Sequence, residues 1–221
     1  MPVPEKTYNQ FAGQKTQRME ALSDGVFAIA LTLLILDIRV PAGEVIHSEG
    51  ELVSAFCRLM PKFLSYFMSF MTLGIFWTGH SLQYSFIERG DRHLGWISLF
   101  FLLFVSLLPF TTAFLSEHIV FKFAIALYWL NLFLLGVLIY VHWHYAERHN
   151  YISPKGEERK TVDKAIRRRV IIAQSLYAVG ALLCFVSTYL SIAVIVLIQL
   201  NYALGLFSEK AAKRSPAKHK A

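Results

Sequence analysis

Six blocks of this 221-residue chain are each apolar over a length that crosses a bilayer: about 19–40, 56–84, 94–115, 119–142, 169–188 and 190–207. A helix needs roughly 20 apolar residues to span the hydrocarbon. Inside it only helices and closed barrels satisfy their own backbone. The chain is therefore expected to be an all-α integral membrane protein with six transmembrane helices per subunit. Only about one residue, Tyr189, separates the last two blocks. The longest polar stretch, Glu147 to Arg169, is too short to fold as a soluble domain. Function must then be built from the membrane helices. Composition agrees: 55% of residues are hydrophobic and 17% charged, with a mean hydropathy of +0.46. The opening block ends in Asp37 and Arg39 without a small-residue cleavage site, so it is not expected to be an export signal.

Charge gives the orientation. With six crossings and a cytoplasmic N-terminus, all but four of the 22 Lys and Arg residues fall inside; the exceptions are Arg39, Arg58, Lys62 and Lys122. This bias predicts a multi-pass protein of the inner cell membrane with both ends cytoplasmic. It divides the chain into a cytoplasmic N-terminal segment (1–17), a transmembrane domain (18–207) and a basic cytoplasmic tail (208–221). The net charge of +7 comes from residues flanking the spans, which argues against nucleic-acid binding. The tail, KAAKRSPAKHKA, reads as a topology signal able to touch anionic headgroups. Cys57 and Cys184 both lie in apolar blocks without metal-site spacing, so both are expected to be packing residues.

The first block, RMEALSDGVFAIALTLLILDIRVP from Arg18 to Pro41, carries the most information. A helix capped at Ser23 and Asp24 would be only about 17 residues, roughly 25 Å long. A start near Arg18 suits a hydrocarbon core of about 30 Å better. Asp24 then lies inside the helix and needs a partner from another helix or subunit. At 100° per residue, taking Ile29 as zero, Gly25 falls near about −40°, Thr32 near −60°, Leu33 near +40° and Leu36 near −20°. Asp24 lies well off that stripe. The stripe either packs against neighbours or lipid, or faces something else.

Other polar residues sit within the blocks. Trp77 and His80 are three apart on one helix face, at a depth comparable to Asp24. They either join Asp24 in a polar cluster or act as an interfacial Trp and a solvated His. In YVHWHYAERH, His142 and His144 point to different sides, which is poor geometry for a shared metal; with Trp143 they read as an interfacial aromatic belt. Asn131 and Gln199 are expected to make interhelical hydrogen bonds, and Pro109 to kink its helix. There is no TVGYG filter, H-E-x-x-H, G-x-S-x-G or P-loop, and no Arg- or Lys-rich voltage-sensing span.

The run R-x-x-x-L-S-D followed by G-V-F-A-I-A-L-T-L-L-I-L resembles the first helix of the transmembrane protein 175 family, the endolysosomal potassium channels and their prokaryotic relatives. Arg18, Ser23 and Asp24 match the family signature R/K-x-x-x-F-S-D; Leu22 stands in place of its phenylalanine. The likeness extends more loosely to FWTGH (Phe76–His80) and to the six-span layout. It implies a homotetramer with the first helices around a central pore. It assigns Ile29, Leu33 and Leu36 to the pore constriction, Thr32 to selectivity, and Arg18, Ser23, Asp24, Trp77 and His80 to a structural polar motif. The implied function is a potassium-permeable cation channel, not an enzyme, with modest K⁺ over Na⁺ selectivity. No cofactor or resident metal is expected beyond K⁺ as permeant ion; the implied partners are further copies of the chain, the bilayer, potassium and other monovalent cations. Three rivals remain: a secondary transporter or proton carrier using Asp24 and His80, a redox enzyme with His80, His142 or His144 as haem ligands, and a purely structural membrane subunit.

Overall fold

The computed structural model describes residues 16–41 and 46–204. The expectations for residues 1–15 and for the basic tail lie outside the described residues. Among the described residues seven α-helices follow one another: α1 (Thr16–Leu33), α2 (Glu49–Cys57), α3 (Met60–Phe86), α4 (Arg92–Glu117), α5 (Lys122–Arg148), α6 (Gly156–Leu182) and α7 (Thr188–Leu204). Short 3₁₀ turns follow α1 (Leu34–Asp37) and α6 (Leu183–Phe185). Among the described residues there is no strand. An isolated antiparallel bridge between Ile87 and Ile152 ties the α3–α4 turn to the α5–α6 connection.

Among the described residues four helices are long and apolar enough to cross a membrane: α1 with its 3₁₀ turn, α4, α5, and α6 with its own. A fifth span results if α2 and α3, bent by 42° at Arg58–Leu59, count as one. α7 is apolar but shorter. Helix starts follow local chemistry. The Ser48 hydroxyl accepts from the Glu51 amide at the start of α2, and Pro61 sits in the first turn of α3, where a missing N–H costs nothing. Asp91 caps α4 by accepting from the Leu94 amide at 2.9 Å. α4 continues through Pro109 as one element.

α4 lies at the centre, packing on α1, α3 and α5; α6 packs on α5 and α7, and α7 returns to α3. The core joins Phe27, Phe101, Val105, Leu108, Leu132 and Ile195. A polar layer runs through it. Thr112 donates to Ser69 at 2.6 Å, Thr72 meets the Tyr128 hydroxyl at 3.1 Å, and Gln199 Nε2 donates to Thr72 at 2.7 Å. Asn131 Nδ2 reaches Thr111 at 3.3 Å. Asn131 and Gln199 thus make the interhelical bonds that a polar group in an apolar bundle requires.

His142 and Trp143 do not form an interfacial belt. Both are buried. His142 Nδ1 pairs with Gln83 Oε1 of α3 at 2.9 Å, and Trp143 Nε1 donates to Asp163 of α6 at 2.9 Å. α5 runs on to Arg148, so these residues lie more than a turn inside its end, where α3 and α6 cover them. His144 faces outward and meets Arg167 Nη2 at 3.0 Å.

Candidate functional site: the uncovered face of the first helix

Packing divides α1 and its 3₁₀ turn into two faces. Ser23, Phe27, Ala30 and Leu34 recur at helical spacing and are at most 2% exposed, turned into the core. On the other side Leu22, Ile29, Leu33 and Leu36 are 46%, 61%, 44% and 67% exposed, and Thr32 is exposed among them. An aliphatic face left open along most of a helix is the kind of surface that something else covers. Ile29, Leu33, Leu36 and Thr32 therefore share one uncovered side of the single chain.

The 3₁₀ turn alters the stripe. Residues three apart eclipse in a 3₁₀ helix. Leu36 therefore stacks over Leu33 instead of lying about 60° away, as a continuous α-helix would place it. The turn is anchored by Ser116 of α4, which donates to Asp37 Oδ2 at 2.7 Å. Below it, Lys62 and Glu117 form an ion pair between α3 and α4. Neither link was foreseen from sequence; the one cue was an acid, Asp37, ending an apolar run. The Thr32 hydroxyl donates to its own helix, reaching the carbonyls of Ile29 at 2.8 Å and Ala28 at 3.1 Å. Its hydrogen is committed inward, so its oxygen is left as an acceptor on the open side.

The polar residues at the other end of α1 separate into distinct environments. Trp77 Nε1 of α3 donates to Asp24 Oδ1 at 2.8 Å, giving that carboxylate a partner from another helix. The Ser23 hydroxyl is buried and donates back to the Met19 carbonyl at 2.8 Å. Arg18 is exposed, with no ion pair among the described residues. The structure does not bring His80 to Asp24. His80 is buried behind α1, stacked on Phe101 at 4.7 Å and edge-on to Tyr84 at 4.8 Å, with the His142 ring 5.5 Å away. Trp77 and His80 share a side of α3 but sit about 60° apart on it, so that Trp77 reaches Asp24 at the rim of α1 while His80 packs inward against Phe101, His142 and, at 6.3 Å, Phe27 of α1.

Among the described residues, an all-helical bundle with four to five apolar spans and exposed apolar faces on several helices, that of α1 among them, defines a multi-pass membrane protein. Comparison narrows the class. Residues 18–109 match the family described as endosomal/lysosomal potassium channel TMEM175. A potassium channel of Chamaesiphon minutus is 33% identical, the match covering 86% of this chain and 94% of the relative. The crystal structure of a lysosomal potassium-selective channel TMEM175 homolog from Chamaesiphon minutus superposes with a TM-score of 0.73 at 30% identity, covering 86% of this chain and 97% of that one. The human endosomal/lysosomal proton channel TMEM175 is 37% identical over 49% of this chain and 22% of its own length. The chain belongs to the TMEM175 family, a family of channels and not of enzymes.

Proposed function

We propose that the chain is a potassium-permeable cation channel, a homotetramer of six-span subunits in which four copies of α1 surround a central path. The observation that carries this reading is the open stripe of Ile29, Leu33 and Leu36 with the Thr32 oxygen among them. In the tetramer α7 is the sixth span. Residues 18–207 form the channel domain, and the segments 1–17 and 208–221 lie in the cytoplasm, inside the inner cell membrane.

Four aliphatic rings at a narrow neck exclude ions by excluding water; a slight widening or rotation rewets the neck and opens it. A ring of Thr32 oxygens, free to act as acceptors, offers partial replacement of a cation's hydration shell. Potassium gives up water more readily than sodium because its charge is spread over a larger ion, so the ring favours potassium. Four flexible side chains hold their positions less rigidly than a backbone carbonyl cage, so the preference is modest. Asp24 and Trp77 fix the inner end of α1 against α3 in this scheme, and Arg18, Ser23 and His80 support that end.

Planar-bilayer recording of the purified protein under a potassium/sodium gradient tests the proposal. Unitary currents with a reversal potential displaced towards that of potassium are expected, and Ile29→Asn should raise unitary conductance by wetting the neck. Saturating flux with no unitary currents would overturn it in favour of a carrier. Proton permeation is the second reading, raised by the description of the human relative as a proton channel. A reversal potential that follows an imposed pH gradient in potassium-free solution would favour it. A carrier relaying protons from Asp24 to His80 is less well supported, because the two side chains do not meet.

A further inference from the structure

A crevice opens between α3 and the pair α6 and α7, at the end of the bundle that also holds Trp77 and Asp24. Its wall is largely apolar, made by Ile75, Gly79 and Leu82 of α3 and Val170 and Ala173 of α6, and Arg169 and Tyr202 border it. It is a shallow slot, with a cavity volume of only about 60 Å³, and is open on one side. A neighbouring depression shares Ile75, Arg169 and Tyr202 and extends to Trp77.

Two features separate this crevice from an ordinary packing gap. The first is charge. Arg159 is tied to Glu147, and Arg167 to Asp163, with Tyr140 also in reach. Arg169 is exposed and, among the described residues, makes neither an ion pair nor a side-chain hydrogen bond. The second is an unmet polar group. Tyr177 lines the crevice, is 2% exposed, and its hydroxyl has no hydrogen-bond partner. Gln174 is drawn aside onto α5: a Cβ at Gly136 would stand 1.7 Å from its Nε2, and the amide instead donates to the Leu132 carbonyl at 3.3 Å. Gly136 thereby gives Gln174 the room it occupies beside the crevice.

We propose that this crevice is a binding site for an anionic phospholipid, with the phosphate on Arg169 and an acyl chain along the wall of Ile75, Gly79 and Leu82. The chemistry fits an amphiphile: an apolar slot with an uncommitted guanidinium at its mouth. Basic pockets between membrane helices on the cytoplasmic side suit anionic headgroups, and guanidinium matches phosphate geometry. The inference relies on the preceding reading only for its membrane placement; lipid retention is read without any current, so either can fail alone.

Native mass spectrometry of the full-length protein in detergent, with phosphatidylglycerol or phosphatidylcholine added, tests it. Phosphatidylglycerol should be retained over phosphatidylcholine by about fivefold, the preference one basic side chain contributes at an anionic surface. Arg169→Gln should abolish that preference, while Arg169→Lys and the neighbouring Arg168→Gln should keep it. Gly79→Leu should reduce retention of both lipids by filling the slot. Equal retention of the two lipids by the wild type would overturn the site. So would an Arg169→Gln protein that still prefers phosphatidylglycerol, the result expected if a neighbouring subunit covers Arg169. Displacement of the lipid by excess inorganic phosphate would also overturn it, assigning the site to a free anion.

Discussion

At the scale of single residues, Thr32 is where the proposed function is most exposed to test. Its proton is held by the carbonyls of Ile29 and Ala28, so only lone pairs face the open side of α1. A cation needs acceptors, and a hydroxyl whose hydrogen is already committed needs no reorientation to serve. Thr32→Ala should lower the potassium-to-sodium permeability ratio measured by reversal potential, and Thr32→Ser should preserve it. An unaltered ratio in the alanine variant removes Thr32 from selectivity. Trp77 makes a different contribution. Its indole N–H is the partner of the Asp24 carboxylate, and a hydrogen bond to a charged group contributes about 1.5–3 kcal/mol. Trp77 is half-exposed, so the low end applies. Trp77→Phe should lower the thermal midpoint in detergent, and Asp24→Asn, which still accepts, should lower it less. Midpoints unchanged in both variants would mean that α1 is held at this end by apolar packing alone.

At the scale of elements, the start of α4 depends on one carboxylate. Asp91 is buried and accepts from the Leu94 amide at 2.9 Å and the Tyr145 hydroxyl at 2.7 Å, with His93 Nδ1 at 3.5 Å. Burial pushes its carboxyl upward, but the Leu94, Tyr145 and His93 interactions outweigh that and hold it below its ordinary value. A carboxyl that is more acidic folded than unfolded stabilises the fold at pH above its unfolded value of about 3.9. That contribution fades as pH falls through the folded value. Asp91→Asn should therefore be less stable than the parent near neutral pH, with the gap closing towards about pH 3. A gap that stays constant with pH would show that the charge of Asp91 is not what stabilises the cap.

The helices were legible in the sequence to the extent that apolar length defines them. Among the described residues each predicted block is mostly helical, because a bilayer-length apolar run has few other ways to satisfy its backbone, although only four helices, or five spans with the bent pair, are long and apolar enough to cross a bilayer. Edges set by local contacts were not legible. The break at Arg58–Leu59 was marked only by Pro61, and the tightening at Leu34–Asp37 depends on Ser116, far along the chain. The burial of His142 and Trp143 was hidden for the same reason, since their partners Gln83 and Asp163 come from other helices. On α1 the helical wheel separates Ile29 and Leu33 from Phe27 and Ala30, yet both stripes are apolar. Only the placement of α3 and α4 decides which one is covered.

At the scale of the whole molecule, the single chain is incomplete on one side. Its core is closed by α3, α4, α5, α6 and α7, while the stripe of Leu22, Ile29, Leu33 and Leu36 stays 44–67% exposed. Lipid could cover an aliphatic stripe at little cost, so exposure alone does not demand a partner. Thr32 breaks that equivalence, because a hydroxyl oxygen held outward at mid-span finds no donor or cation in hydrocarbon. In the proposed assembly, convergence of several copies on one axis would give it water or ions instead and bring the Ile29 side chains towards one another. Ile29→Cys in a Cys57→Ser background, oxidised with copper-phenanthroline in native membranes, should then give disulfide-linked dimers on a non-reducing gel, since cysteines join when their Cα atoms approach within about 7 Å. A cysteine at Phe110, exposed on α4, should stay monomeric and serves as the control. Were the Ile29→Cys protein to remain monomeric under the same oxidation while still assembling as an oligomer in light scattering, the copies would be meeting through another face, and α1 would not line the path.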